Sequence, residues 1–371
     1  MTFKKQDRYN NPFSAVVTGI RDLFRKQDPA GELKPTDRLE GKTVLVDGAS
    51  SGLGFAIATE CACRGARVIM ACRSGIPEKG EEVKRISGSR EVQMVYVDFS
   101  DISSIERLVS ELARPTEIED ALAGSDGQTG NKTQIDILIC NAGTVPKKSR
   151  RTPQGVEEMF MVNYLSKFIF VKLLIESGRF RRSEAHPCGN GKAIQGIPRI
   201  IFVDSETHRN PKQFEWEKFG LYEPYTIGKS LELYGYYKLL LATYAVELSR
   251  RLNRDHSLVP DLVSGDPPFS GVRFSVFALC PGPVNTNIGR EAPKIFRPLM
   301  KLVFSLFFRS PAKAAIPVLY LAASKDVEGK PFDYLFLMSR KEIDEKASDP
   351  DHGKKLWDLS ENLYRKLQAV K

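Results

Sequence analysis

Tyr234 and Lys238 place a phenol and an ammonium group four residues apart in a segment with a helical pattern. That spacing puts both side chains on one face of a helix. A phenol with a pKa of about 10 is a poor proton carrier at neutral pH, and a neighbouring ammonium group lowers that pKa. The pair therefore predicts acid–base chemistry on a bound substrate.

A second pair, Tyr225 and Lys229, has the same spacing. The segment that follows Tyr234 continues an amphipathic helix, whereas Pro224 and Gly228 beside Tyr225 are typical of a loop and a helix start. We therefore assign the proton transfer to Tyr234 and its lysine.

A glycine-rich turn follows the first apolar run and leads directly into a helical pattern. Glycines allow the backbone to approach a pyrophosphate, which then lies against the free N–H groups and positive dipole of the helix. The turn predicts a dinucleotide site, although a tight strand-to-helix turn can look similar without a ligand. The residues assigned to this site are Gly48, Ser50, Ser51, Gly52, Leu53 and Gly54.

Arg73 directly follows the second apolar run, where a site for NAD usually carries an acidic residue that bonds the ribose 2′-hydroxyl; a solvated arginine at the end of a strand is the alternative without a ligand. An arginine there favours a 2′-phosphate, so NADP(H) is the preferred cofactor and NAD(H) the alternative. Asp98 ends the third run, where it can bond the adenine amino group or cap the next helix.

The elements that must position these residues alternate between strand and helix. Short apolar runs typical of strands buried on both faces lie at 43–47, 67–72, 92–97, 136–140, 199–204, 272–279 and 333–338. Helical patterns lie at 53–64, 102–114, 153–178, 228–252 and 311–323. The alternation predicts an α/β fold with a single doubly wound parallel sheet and helices on both faces.

The chain divides into three predicted parts. They are an N-terminal extension with an amphipathic pattern (1–40), a dinucleotide-binding domain (41–345) and a C-terminal helix or tail (346–371). Polar or Gly/Pro-rich segments ahead of three strands are predicted surface insertions, at 115–134, 183–198 and 255–271.

Composition excludes several classes of protein. Hydrophobic residues make up 42% and charged residues 27% of the 371, which excludes general disorder. The net charge of +9 is spread along the chain without a nucleic-acid motif, so no nucleic-acid partner is predicted. The start lacks the features of a signal peptide and no run reaches the roughly 18 apolar residues of a membrane span, so we predict a cytoplasmic, non-secreted protein.

Cysteines and histidines show no ligand spacing. The six cysteines contain no CxxC pair, which predicts a reducing compartment without disulfides. The four histidines, His208 among them, are predicted surface residues, and no metal site is predicted.

Residues 40–340 resemble the short-chain dehydrogenase/reductase family, whose sheet is Rossmann-type. The glycine-rich turn matches the family's TGxxxGxG motif, except that Asp47 replaces the threonine that normally ties this turn to a neighbouring strand. That departure bears on the geometry of the turn and on cofactor affinity. The family's adenine-contacting residues and its NNAG segment match Asp98, Phe99, Asn141, Ala142 and Gly143, with Cys140 for the first asparagine.

The resemblance implies further roles. Ser205 matches the serine that binds the substrate oxygen, with helix capping as the alternative, and Asp204 stands where many relatives carry another serine. Asn163 matches the asparagine that holds a water linking the lysine to solvent. The segment that holds the nicotinamide carboxamide matches Pro281, Gly282, Val284 and Thr286, and Tyr234 and Lys238 also belong to the cofactor site.

The implied reaction is NADP(H)-dependent interconversion of an alcohol and a carbonyl. Ser205 and Tyr234 polarise the carbonyl while hydride arrives from the reduced nicotinamide, Tyr234 gives the proton, and Lys238 and Asn163 resupply it. The reverse direction oxidises the alcohol.

The match is best to the retinol dehydrogenase-like branch, through ACRS after the second run and PLMKLVFSLFFRSPAKAA near the end. The apolar segment 299–308 implies a hydrophobic small-molecule substrate such as a retinoid, steroid or lipid aldehyde; a core helix or a homodimer contact is the alternative. Residues 12–26 or 299–308 allow peripheral membrane contact, with docking of the N-terminal amphipathic segment on the domain as the alternative for 12–26.

Other functions stay open at this point. They are a catalytically silent nucleotide-binding scaffold or sensor, a membrane-recruited interaction protein, and a protochlorophyllide-type reductase, which shares the YxxxK spacing.

Overall fold

One sheet organises the computed structural model, which describes residues 29–113, 133–181, 196–255, 272–284 and 309–369. Its strands are β1 (Thr43–Asp47), β2 (Arg67–Cys72), β3 (Val92–Tyr96), β4 (Ile137–Cys140), β5 (Arg199–Val203), β6 (Ser275–Cys280), β7 (Phe332–Phe336) and β8 (Ser339–Arg340). Their order is β3-β2-β1-β4-β5-β6-β7-β8, and β8 runs antiparallel to β7 while the other pairs are parallel.

The central strands are apolar throughout because neither of their faces meets water. Every residue of β1, β4, β5 and β6 is buried. The winding reverses between β1 and β4, so that a crevice opens beyond the carboxyl ends of these two strands. The predicted single doubly wound parallel sheet is confirmed.

Helices cover both faces of the sheet. They are α1 (Gly52–Cys63), α2 (Glu78–Ser87), α3 (Ile102–Leu112), α4 (Ser166–Glu176), α5 (Ile227–Arg250), α6 (Pro311–Ala323), α7 (Glu345–Ser348) and α8 (Pro350–Gln368). One apolar cluster joins the sheet to α1, α2 and α6, and a second joins it to α3, α4, α5 and α8.

The elements differ from the predicted ones at α2, at β8 and at the start of the helix predicted for 153–178; β6 also begins at Ser275 instead of 272, and the short helix α7 was not predicted. Helix α2 was not predicted, because a helical pattern needs several apolar residues on one face and Val83 is its one buried residue with a large apolar side chain. Strand β8 is too short to produce a pattern. The predicted helix at 153–178 begins later, at the turn Glu158–Phe160, where the Glu157 carboxylate accepts the Phe160 amide at 2.8 Å.

A π-helical turn, Met161–Leu165, joins that first turn to α4. Such turns carry one extra residue per turn and occur often at functional sites. Asn163 lies in this turn and is completely buried.

The C-terminal segment is a helix that packs onto the domain. Trp357 of α8 lies edge-on to Phe168 of α4, with ring centroids 5.1 Å apart. The Ser360 hydroxyl is 2.6 Å from the Tyr164 hydroxyl. Both contacts are buried, so α8 completes the apolar cluster beside α4 and α5.

Several predictions concern residues outside the described ranges. They are the segments 12–26 and 299–308, Thr286 and most of the three insertions. The domain boundaries stay predictions. Within the ranges described, no helix has both the length and the apolar character needed to cross a bilayer.

Candidate active site

The glycine-rich turn between β1 and α1 forms one wall of a cavity of about 700 Å³ at the carboxyl ends of β1 to β4. Gly48 has a φ of +64°, which favours glycine, and a Cβ atom on Gly54 would collide with the Gly48 carbonyl oxygen. The Ser51 side chain makes no capping bond at the start of α1. The first N–H groups of the helix can therefore face an anion, as a pyrophosphate requires.

Most residues that the sequence assigns to a cofactor meet at this cavity. Those that line it are Gly48, Ser50, Ser51, Gly52, Leu53, Gly54, Arg73, Asp98, Phe99, Asn141, Ala142 and Gly143. Tyr234, Lys238, Pro281, Gly282 and Val284 are not among its lining residues.

Arg73 and Asp98 form an ion pair at the rim of the cavity. Arg73 Nη1 lies 3.4 Å from Asp98 Oδ2, and the arginine side chain remains 63% exposed. Burial acts to raise the pKa of Asp98, but hydrogen bonds from Ser100 and the charge of Arg73 outweigh it and hold that pKa below its usual value. Because Arg73 is largely solvated, it is free to reach an anionic group that enters the cavity.

Asp47, which departs from the family motif, ties β1 to the loop after β4. Its Oδ1 atom accepts hydrogen bonds from the backbone amides of Asn141 and Ala142. The Asn141 side chain returns a bond to the Asp47 carbonyl at 3.1 Å. The aspartate thus makes the connection between strands that the resemblance attributes to a threonine.

Lys167 is a site residue that the sequence reasoning missed. Its Nζ atom lies 2.8 Å from Asp47 Oδ2, and the two side chains are 1% and 0% exposed. The same ammonium group sits 4.3 Å from the centroid of the Phe99 ring. A lysine within the apolar run SKFIFVKLL was the available signal, since such a residue needs a buried partner.

Asn163 holds the same loop one helical turn away from Lys167. Its Oδ1 atom accepts the Thr144 amide at 2.8 Å, and its Nδ2 atom donates to the Thr144 carbonyl at 2.8 Å. Both ends of the side-chain amide therefore bond Thr144, which leaves one N–H donor and one oxygen lone pair of Asn163 for a further partner such as a water.

Tyr234 and Lys238 share one face of α5, as their spacing predicts. Lys238 Nζ donates to the Val203 carbonyl at 2.7 Å, at the end of β5, and lies 5.7 Å from the centroid of the Tyr234 ring. Ser230, one turn earlier, donates to the Pro146 carbonyl at 2.7 Å. Pro146 lines the cavity, so α5 is attached directly to the cavity wall.

The surroundings of this pair raise the pKa of Tyr234 and lower the pKa of Lys238. Burial and the nearby Asp204 carboxylate raise the pKa of Tyr234 above its usual value, while a hydrogen bond with the Ser205 side chain acts against them. Burial lowers the pKa of Lys238, and the charge of Lys167 adds to that effect against Asp204. The raised pKa of Tyr234 therefore favours the phenol over the phenolate.

The competing tyrosine has a different environment. Tyr225 precedes the start of α5 at Ile227, and its hydroxyl donates to Glu157 Oε1 at 2.8 Å. Lys229 lies 3.7 Å from Glu223 at the surface. The two side chains therefore serve separate contacts and form no acid–base pair.

Ser205 and its neighbours follow β5. The Ser205 hydroxyl lies 2.9 Å from the Thr207 hydroxyl and caps a short 3-10 turn. His208 is completely buried, so the predicted surface position was wrong. Its Nδ1 atom lies 2.7 Å from the Ser205 carbonyl oxygen and 3.0 Å from Asp204 Oδ2. Since both neighbours are acceptors, Nδ1 carries the proton.

The segment after β6 begins at the carboxyl end of that strand, on the same side of the sheet as the cavity. Gly282 has a φ of +79°, and the Arg309 amide donates to the Pro283 carbonyl at 2.9 Å. The predicted residues Pro281 and Val284 belong to this segment, whereas Thr286 falls outside the described residues.

Comparisons with known proteins agree with this architecture. A family model described as short chain dehydrogenase matches residues 42–184. Retinol dehydrogenase 14 of Mus musculus is 31% identical over 337 residues, covering 87% of this chain and 86% of that protein. Retinol dehydrogenase 13 of Homo sapiens is 28% identical over 369 residues, covering 96% of this chain and 95% of that protein.

Solved structures show the same fold. An uncharacterised protein from Mycobacterium paratuberculosis is 25% identical with a TM-score of 0.59, covering 92% of this chain and 98% of that one. The angucycline C-6 ketoreductase LanV, solved with bound NADP, is 22% identical with a TM-score of 0.51, covering 81% of this chain and 95% of that one.

Proposed function

The chain belongs to the short-chain dehydrogenase/reductase family, in its retinol dehydrogenase-like branch, and we propose that this oxidoreductase interconverts an apolar alcohol and its carbonyl with NADP(H). The observation that carries the proposal is that Tyr234 and Lys238 of α5 meet Ser205 at the carboxyl end of β5. Helix α5 is itself attached to the wall of the cavity through Ser230 and Pro146.

The cavity suits a dinucleotide phosphate. Gly54 leaves the room that a backbone approach to phosphate needs, and the N-terminus of α1 supplies N–H donors. Arg73 at the rim offers a solvated guanidinium group for a 2′-phosphate, since Asp98 engages it through one contact at 3.4 Å. When bound, the nicotinamide supplies a hydride to the substrate carbon or accepts one from it.

Tyr234 handles the proton in this proposal. In carbonyl reduction its hydroxyl donates the proton to the substrate oxygen, and the Ser205 hydroxyl holds the same oxygen. Lys238 keeps one N–H bond to the Val203 carbonyl, which leaves two donors of its ammonium group for proton exchange with Tyr234. Lys238 is buried and Tyr234 is partly buried, so a bound substrate that covers the tyrosine would exclude bulk water and direct the proton to the substrate oxygen.

An apolar stripe on α5 supports a hydrophobic substrate. Ile227 and Leu231 are 60% and 47% exposed, although apolar side chains of this size are usually buried. They lie seven and three residues before Tyr234, on the same face of the helix as Tyr234 and Lys238. A retinoid, steroid or lipid aldehyde would cover this stripe while its carbonyl reaches the tyrosine.

Replacement of Tyr234 by phenylalanine tests the proposed chemistry. We expect Tyr234→Phe to lose carbonyl reduction by about 100-fold or more, because proton transfer then lacks its donor, while NADPH still binds. NADPH oxidation with retinoid, steroid and aliphatic aldehydes would be followed by absorbance. Tyr225→Phe is the matched control and should keep turnover; loss of turnover in Tyr225→Phe with activity retained in Tyr234→Phe would contradict the assignment.

Removal of Arg73 tests the cofactor preference. Arg73→Ala should weaken NADPH binding by about tenfold to 100-fold, the worth of a charge-assisted contact, and leave NADH binding nearly unchanged. Titration of cofactor fluorescence measures both dissociation constants. Arg85→Ala, which removes an exposed arginine of α2, is the control for net charge; equal losses for NADPH and NADH would count against a 2′-phosphate site.

The charge of Asp204 predicts a pH effect. Alcohol oxidation needs the Tyr234 phenolate and is lost as the pH falls through the tyrosine pKa. Because the Asp204 carboxylate raises that pKa, Asp204→Asn should move the acidic limb of the oxidation profile to lower pH, by about one unit. The measurement is kcat/KM for alcohol oxidation against pH. Movement of the limb to higher pH would contradict the sign.

A further inference from the structure

We propose that Asp47 and Lys167 act as one positioning unit beside the loop after β4, so that cofactor affinity depends on the balance of their two charges and falls more when Lys167 alone is replaced than when both charges are removed. The inference rests on the proposed function, because it assigns the pair a role in dinucleotide binding. Among the described residues, neither side chain hydrogen-bonds to Ser205, Tyr234 or Lys238, so both are positioning residues.

The carboxylate of Asp47 uses both of its oxygen atoms. Oδ1 accepts the amides of Asn141 and Ala142, and Oδ2 accepts the Lys167 ammonium group at 2.8 Å. A threonine has one side-chain oxygen and no net charge, so it could bond the loop without a cation. The aspartate bonds two amides at once but places a full negative charge where no water reaches.

Asn163 of the π-helical turn and Lys167 of α4, which follows that turn, together form a clamp. They lie four residues apart, on the same face, and each acts on the segment Asn141–Thr144. Asn163 binds Thr144 directly, while Lys167 acts on Asn141 and Ala142 through Asp47. Because Asn141, Ala142 and Thr144 line the cavity, the clamp sets the shape of one cavity wall.

Because Asp47 and Lys167 carry opposite buried charges, the effect of replacing either residue depends on whether the other is present. Breaking a buried ion pair by removing one partner leaves an uncompensated charge, which is far more costly than removing both partners. Asp47 directly precedes Gly48, the first residue of the turn proposed to receive the pyrophosphate. Without Lys167, its carboxylate would repel that anion; without Asp47, the unpaired ammonium group would not.

We therefore expect replacement of Lys167 alone to weaken cofactor binding more than replacement of Asp47 alone. Lys167→Met keeps the length of the side chain but leaves the aspartate unpaired, so the dissociation constant for NADPH should rise by about tenfold or more. Asp47→Asn keeps an oxygen that can accept the loop amides, and the rise should be smaller, about threefold.

The decisive comparison is a double-mutant cycle. Asp47→Asn combined with Lys167→Met removes both charges, and Asp47→Thr combined with Lys167→Met introduces the neutral residue of the family motif. Both double variants should fold and bind NADPH within about twofold of the native chain, which is tighter than Lys167→Met alone. Glu328→Gln is the matched control, since it breaks the ion pair with Arg199 at the opposite end of the sheet and should leave NADPH affinity unchanged.

Hydrogen exchange of the cofactor-free chain is a second, independent measurement. The amides of Asn141 and Ala142 should exchange faster in Lys167→Met than in the native chain, and the Asp47→Thr, Lys167→Met variant should restore their protection. A native chain that binds neither NADPH nor NADH would reject the proposed function, while the exchange data would still decide whether the pair holds the loop.

Three results would overturn the inference. The first is that the single variants bind NADPH and protect the amides of Asn141 and Ala142 as well as the native chain does. The second is that the double variants lose as much NADPH affinity as the two single variants together, or more. The third is that the double variants do not fold.

Discussion

The carboxylate of Asp47 joins two strands that are neighbours in the sheet and 94 residues apart along the chain. It holds the first residues after β4 against the turn after β1, and these two strands flank the point where the winding of the sheet reverses. A crevice at such a point is where a doubly wound sheet binds its ligand. In the native chain one buried carboxylate thus holds the wall of the nucleotide cavity, and the Lys167 ammonium group balances its charge.

The proposed catalytic groups are attached to the same loop after β4. Helix α5 is attached to the loop after β4 through Ser230 and Pro146, and to the end of β5 through Lys238 and Val203. The π-helical turn before α4 directs Asn163 at the loop from the other side. A shift of the loop would therefore move the cofactor wall and the tyrosine helix relative to each other, which links affinity to turnover in this account.

Residue patterns were sufficient to predict the sheet and most of the cavity wall, because buried strands need continuous apolar runs and a turn that binds phosphate needs glycine. They were insufficient to pair Lys167 with Asp47: a lysine within an apolar run indicates a buried partner, but that partner lies 120 residues away and nothing local identifies it. They misplaced His208, because its ring is buried only once the turn after β5 brings it against Tyr334, with ring centroids 5.3 Å apart. Long-range pairing, rather than local propensity, decided these cases.

The most direct test of the oxidoreductase account is transfer of deuterium from NADPH labelled at the nicotinamide C4 position to an apolar aldehyde. Mass spectrometry of the alcohol measures the transfer. We predict that one of the two stereoisomers of the labelled cofactor places a deuterium atom on the carbinol carbon and that the other does not. Saturating NADPH binding without deuterated alcohol from retinoid, steroid or aliphatic aldehydes would contradict the account and favour a nucleotide-binding scaffold.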